Sequence, residues 1–170
     1  PKDGKPICTP SQDMILGNYY LTIEKSKEDF LAHAAKCRAR GDISEAEKYE
    51  LYAESEGKVF RNVDEVMLAY QTKQIHLHNR IAIKGSVLNK ENLTEEMLNS
   101  YLITTVGKVI FNKIFPKEFP FLNEVNKENL TANQAKFFVP KGTNIKEYIA
   151  AQPCRSPFIK KDIGKIVDEI

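Results

Sequence analysis

The chain has 170 residues, a length that fits one domain or one domain with an appendage. It is 42% hydrophobic and 28% charged with a net charge of +2, so bulk charge does not argue for nucleic-acid binding, and any phosphate contact would need a local patch. No apolar run approaches the ~20 residues of a membrane-spanning helix, and no signal-peptide pattern opens the chain. The cysteines, Cys8, Cys37 and Cys154, are far apart and odd in number. That spacing suggests neither a disulfide framework nor a zinc knuckle, and it fits a reducing, cytoplasmic setting.

Residues 1–10 read as an extended arm stiffened by Pro6 and Pro10. In "SQDMILGNYYLT" (11–22), Ser11 is a good N-cap and Asp13 sits in the first turn, where the helix dipole favours an anion. The block that follows is apolar almost all round, which predicts a buried helix, with a strand as the competing reading. From 26 to 56 the chain turns polar. Ser26 with Asp29 forms a short capping box, Gly41-Asp42 makes a turn, and a second helix runs from about Ser44. We expect a solvated helical hairpin that reads as an insertion.

Gly57 to Phe60 predicts a short strand. Asn62 and Glu65 start an amphipathic helix whose apolar positions are Val63, Val66, Met67 and Tyr70. Ile75 to Lys84 alternates. Ile75, Leu77, Asn79, Ile81 and Ile83 are expected on one face, and His76, His78, Arg80 and Ala82 on the other. A polar loop with a short helix after Thr94 leads to a strand over Tyr101–Thr105. Thr104 or Thr105 then caps a helix through Val106, Val109, Ile110 and Ile114, with Val106, Ile110 and Ile114 as its buried stripe and Lys108 exposed. "FPKEFPF" is a stiff corner whose aromatics plug a core. Asn144 with Glu147 caps another helix, and a last one starts near Lys160. The pattern predicts an α+β fold of several short helices and a few short strands.

Chemistry is sparse. No paired-carboxylate motif is visible, and no catalytic residue or metal ligand set is assigned within the chain. His76 and His78, two apart on one strand face, suit either a shared metal or a plain wall. Val106-Gly107-Lys108 lacks the flanking residues of a phosphate loop, since Leu102 and Val109 stand where glycine and a hydroxyl residue belong. Thr104, Thr105 and Lys108 are left as an anion-attracting helix start or as simple capping. Arg80 is either a ligand contact or half of an ion pair.

The motifs together point further. "PKDG", "TPSQDMILGNYYLT", "GKVF" with Asp64-Glu65, "LHNRIAI", "LITTVGKVIFNKIFPKEFPFLNE" and "KKDIGKI" occur in this order. The chain thereby resembles the largest-subunit family of DNA-directed RNA polymerases, in its bacterial β′ form, nearly throughout except about residues 26–55. The resemblance implies a pore-domain segment that helps wall the secondary channel, just after the aspartate-rich loop that binds magnesium. That loop is expected before Pro1, and the chain, which stops within a helical pattern, reads as a piece of a longer one. The family implies Mg2+, and structural Zn2+, held elsewhere in the subunit. It implies the rest of β′ and the β, α and ω subunits as partners, with DNA, RNA and NTPs in the whole enzyme, no membrane, and a cytoplasmic, nucleoid-associated place in the cell.

On this resemblance, Gln12, Asp13, Arg80, Thr104, Thr105 and Lys108 are the candidates to line the active centre or channel. Residues 26–56 would be a lineage-specific helical insertion. The alternative is a free-standing interaction module that binds a protein partner through that hairpin.

Overall fold

The computed structural model describes residues 12–124 and 134–169. The arm over 1–10, the Ser11 cap and Cys8 lie outside the described residues. Eight α-helices and four strands are described: α1 (Gln12–Leu21), α2 (Lys27–Ala39), α3 (Ile43–Glu54), β1 (Lys58–Phe60), α4 (Val63–Gln71), β2 (Arg80–Lys84), α5 (Glu95–Leu98), β3 (Tyr101–Thr105), α6 (Val106–Asn112), β4 (Phe138–Val139), α7 (Ile145–Ala150) and α8 (Lys160–Glu169). The fold is α+β, as the pattern predicts.

The strands form one mixed sheet in the order β1-β2-β3-β4. β1 and β2 run parallel, with α4 as the crossover between them; β2–β3 and β3–β4 are antiparallel. In register, Arg80 faces Thr105 and Ile83 faces Leu102. Ile81, Ile83 and Leu102 point to one side, where Val66 of α4 and Val106 and Val109 of α6 cover them. Ala82, Ile103 and Val139 point to the other, against Ile145 and Ile149 of α7. A third cluster joins Phe111 of α6 and Phe115 and Leu122 of the proline corner to Phe158, Ile163 and Ile166 around α8.

Local chemistry explains most element ends. Ser26 and Asp29 cap α2 reciprocally, and Asn62, Thr94, Thr105 and Asn144 each accept a hydrogen bond from a first-turn amide of α4, α5, α6 and α7. The hairpin turns at Gly41, whose φ of +84° suits a residue without a Cβ. Asp42 caps α3, accepting from the Glu45 amide.

Four expectations fail, each for a physical reason. The strand expected from Ile75 starts only at Arg80, because Asn79 folds the 76–79 segment into a turn by accepting from the His76 amide at 2.7 Å. β2 is not half-solvated but buried on both faces, because α7 returns from later in the chain to cover the second one. α1 is not buried all round: Tyr19 is 43% and Tyr20 52% exposed. On α6 Val106 is buried and Ile110 half-buried as expected, but Val109 and Phe111 complete the covered face, while Ile114 lies past the helix end and is 72% exposed.

Candidate functional site

The polar interior of the molecule centres on Glu24, three residues beyond α1. One carboxylate oxygen of Glu24 receives Lys108 Nζ at 2.8 Å and Arg155 Nε at 2.9 Å; the other accepts from the Arg155 amide at 2.9 Å. The side chains of Glu24 and Lys108 are both 0% exposed. Lys108 Nζ also donates to the Asn123 carbonyl at 2.6 Å and lies 5.7 Å from the centre of the Phe158 ring. Arg155 Nη2 donates to the Ile103 carbonyl at 3.1 Å, and its guanidinium stacks on Phe137 at 4.5 Å. Asn112 clips the same region, donating to the carbonyls of Lys108 and Leu122 and accepting from the Leu122 amide at 2.7 Å.

Burial raises the Glu24 carboxyl, but Lys108 and Arg155 outweigh that effect and leave it below an ordinary glutamate. Burial lowers Lys108 to about 8, against the opposing pull of Glu24. The contacts are those of a buried ion pair, with one carboxylate between two cationic side chains.

A second buried pair lies at the start of β2. Arg80 Nε and Nη2 both donate to Glu56 Oε1, at 3.1 and 2.8 Å, and Nη1 donates to the Gln152 carbonyl at 2.7 Å. The same Glu56 oxygen accepts from the Lys27 amide at 3.0 Å, which fastens the hairpin base to the sheet. Between the two networks lies a cavity of about 390 Å³, bordered by Glu24, Arg80, Ile103, Tyr148 and Arg155.

The sequence candidates divide sharply. Gln12 and Asp13 open α1 as backbone, and their side chains lie outside what the structure describes. Arg80 borders the cavity, with its side chain 3% exposed and spent on Glu56 and Gln152. Thr104, Thr105 and Lys108 are each 0% exposed. Thr105 accepts from the Lys108 amide, and the Gly107 amide donates to the Leu77 carbonyl at 2.8 Å, so these first amides of α6 are already satisfied inside the fold. The expected exposure of Lys108 fails because α6 lies on the core, where a long cation reaches the carboxylate of Glu24.

His76 and His78 do come together, with ring centres 4.8 Å apart, but on a turn packed against aromatic rings. Among the described residues, no three His, Cys, Asp or Glu side chains gather into a metal-holding group. Glu24, Glu56, Asn123 and Arg155 were not foreseen. Glu24 lies 84 residues from Lys108 and 131 from Arg155, so no local spacing marks the set.

The family model described as RNA polymerase Rpb1, domain 3 matches residues 1–170. The DNA-directed RNA polymerase subunit beta' of Bacillus thuringiensis (strain Al Hakam) is 46% identical over 171 residues, covering 100% of this chain and 12% of that protein. The subunits of the same name from Bacillus cytotoxicus and Bacillus subtilis (strain 168) are 48% and 44% identical, also over 100% of the chain and 12% of their own lengths. The chain thus corresponds to a small part of each relative. Matched over all its residues, the chain belongs to the RNA polymerase Rpb1, domain 3 family.

Proposed function

We propose that the chain is a non-catalytic segment of the β′ subunit of a bacterial DNA-directed RNA polymerase, and that it acts as wall and support of the secondary channel and active-centre cavity. The observation that carries this reading is the use of its buried charges. Arg80, Lys108 and Arg155 are spent on Glu56, Glu24 and backbone carbonyls, so they brace the fold instead of facing a reactant. In the whole enzyme, Mg2+ supplies the charge stabilisation that nucleotidyl transfer needs. On this reading the residues that hold it lie elsewhere in the subunit.

The partners on this reading are the rest of β′ and the β, α and ω subunits, with DNA, RNA and NTPs in the assembled enzyme, in the bacterial cytoplasm and nucleoid. No described helix is long and apolar enough to cross a membrane. The exposed Tyr19 and Tyr20 of α1 suit a helix that other parts of a larger subunit cover. Gln12 and Asp13, at the head of that helix, are its candidates to face the active-centre cavity.

We read residues 26–56 as an inserted hairpin. In support, its two ends meet neighbouring residues: Lys25 bridges Asn79, and the Gly57 amide donates to the Arg80 carbonyl at 2.8 Å.

The test is primer extension on a nucleic-acid scaffold. The chain as the only protein is expected to give no magnesium-dependent extension, whereas the assembled polymerase containing it extends. Reproducible extension by the chain alone would overturn the reading.

A further inference from the structure

All three histidines of the chain, His33, His76 and His78, gather at the base of the hairpin. The His76 ring packs against Phe30 of α2 and Tyr52 of α3, each with centres 5.2 Å away, and against Tyr49 at 5.9 Å. Its Nδ1 accepts a hydrogen bond from the His78 amide at 3.0 Å. A ring accepting at Nδ1 carries its proton on Nε2, and a second proton at Nδ1 would set two donors against each other. Neutral His76 therefore fits this site and cationic His76 does not.

The turn that this bond closes holds both legs of the hairpin. The His78 carbonyl accepts from the Lys25 amide at 3.1 Å, just before α2. Asn79 accepts from the His76 amide and donates to the Tyr52 carbonyl on α3 at 2.9 Å. We propose that His76 is an acid-sensitive latch: its neutral imidazole holds the α2–α3 hairpin on the sheet, and mild acid, by protonating the ring once the hairpin opens, shifts the balance toward the opened hairpin.

The surrounding groups oppose a charge on the ring. Lys48, Tyr49 and Tyr52 of α3 and Lys25 of the preceding link lie around it, with His33, Lys36 and Asp29 of α2 in the adjoining cleft. Tyr20 of α1 and Tyr70 and Lys73 near the end of α4 complete the surroundings. Asp29 is the one carboxylate of this set, and its described hydrogen bonds go to the cap of α2, not to the ring. Burial, then His78, Lys48 and His33, lower His76 to about 4. His78 is not the latch. Its Nε2 lies 2.8 Å from the Tyr20 carbonyl, which a protonated ring still satisfies as donor.

The test is hydrogen exchange, read by mass spectrometry on the complete subunit at pH 7.5 and pH 5.5 and corrected for intrinsic exchange rates. A released histidine titrates near 6.5, so opening of residues 27–55 is expected to rise about tenfold between the two conditions, with β2 and β3 unchanged. His76→Gln cannot titrate but can still accept the amide, and it is expected to abolish the rise. No rise in the wild type, an equal rise in His76→Gln, or joint opening of hairpin and sheet would each overturn the latch. Should His76→Gln fail to fold, His33→Gln replaces it, and loss of the response there would overturn the assignment to His76.

Discussion

Lys108 Nζ stands 2.8 Å from Glu24 Oε2, and neither side chain reaches solvent. The pair joins α6 to the segment after α1, and Arg155 brings the chain before α8 onto the same carboxylate. Three distant stretches of sequence thus meet at one charge.

Lys108→Ala is therefore expected to be severe. Breaking a buried pair leaves its partner charge uncompensated and typically costs about 3–5 kcal/mol. Here Arg155 still faces Glu24, so the loss should fall toward the lower end. Lys108→Met, which fills the space of the lysine stem and leaves the Arg155–Glu24 pair intact, should recover part of it. Denaturant unfolding of the chain measures both, and a loss under ~0.5 kcal/mol for Lys108→Ala would place the lysine at the surface.

Gly107 is where the backbones of α1 and α6 touch. A Cβ there would stand 1.9 Å from the Leu21 carbonyl oxygen, with backbone on both sides and no flexible side chain to yield. Gly107→Ala is expected to cost well over the ~1 kcal/mol of an average substitution. Gly17 has nothing within 4 Å of such an atom. Gly17→Ala, in an exposed helix position, should stabilise by roughly 0.5–1 kcal/mol. Matching midpoints for the two variants in a urea titration would contradict this packing.

The buried face of α6 gives a third comparison. Phe111 is 3% exposed and sits among Phe115 and Phe158, with ring centres 5.2 Å away in both cases. Phe111→Ala is expected to cost about 3–5 kcal/mol. Ile114→Ala, at a position 72% exposed, should stay within about 0.5 kcal/mol in the chain alone. Equal shifts in thermal midpoint would mean the face is misassigned.

Replacing residues 27–55 with a short Gly/Ser linker should lower the thermal midpoint but keep one cooperative transition. The hairpin has its own small cores, Phe30 with Tyr52 and Ala34 with Cys37 and Ala46, and its two ends meet the neighbouring residues Asn79 and Arg80. A broad, non-cooperative melt by circular dichroism would show that the sheet depends on it.

Much of the fold was legible because its signals are local. The caps at Ser26, Asn62, Thr94, Thr105 and Asn144 bond first-turn amides a few residues on, and the β3 run Tyr101–Thr105 is β-branched and aromatic. The candidate site was legible only in part. Arg80 stood out as a cation in an apolar strand, but its partner Glu56 lies 24 residues earlier in a run of acidic residues that reads as solvated surface. Lys108 looked exposed because helical periodicity alone placed Ile110 and Ile114 inward. Tertiary packing buried Val106 as expected and left Ile110 half-buried, but chose Val109 and Phe111 over Ile114, and Lys108 turned in with them. A contact between residues 84 apart leaves no trace in spacing.

The central claim, support without chemistry, is tested most directly at Arg80. Arg80→Ala placed in the assembled polymerase leaves Glu56 buried without its cation, and elongation can then be followed at low and saturating nucleotide. The account predicts poorer assembly or a lower thermal midpoint, with an unchanged apparent KM for nucleotide in the enzyme that does assemble. Intact assembly and stability with a raised apparent KM would contradict it and move Arg80 from the brace to the nucleotide path.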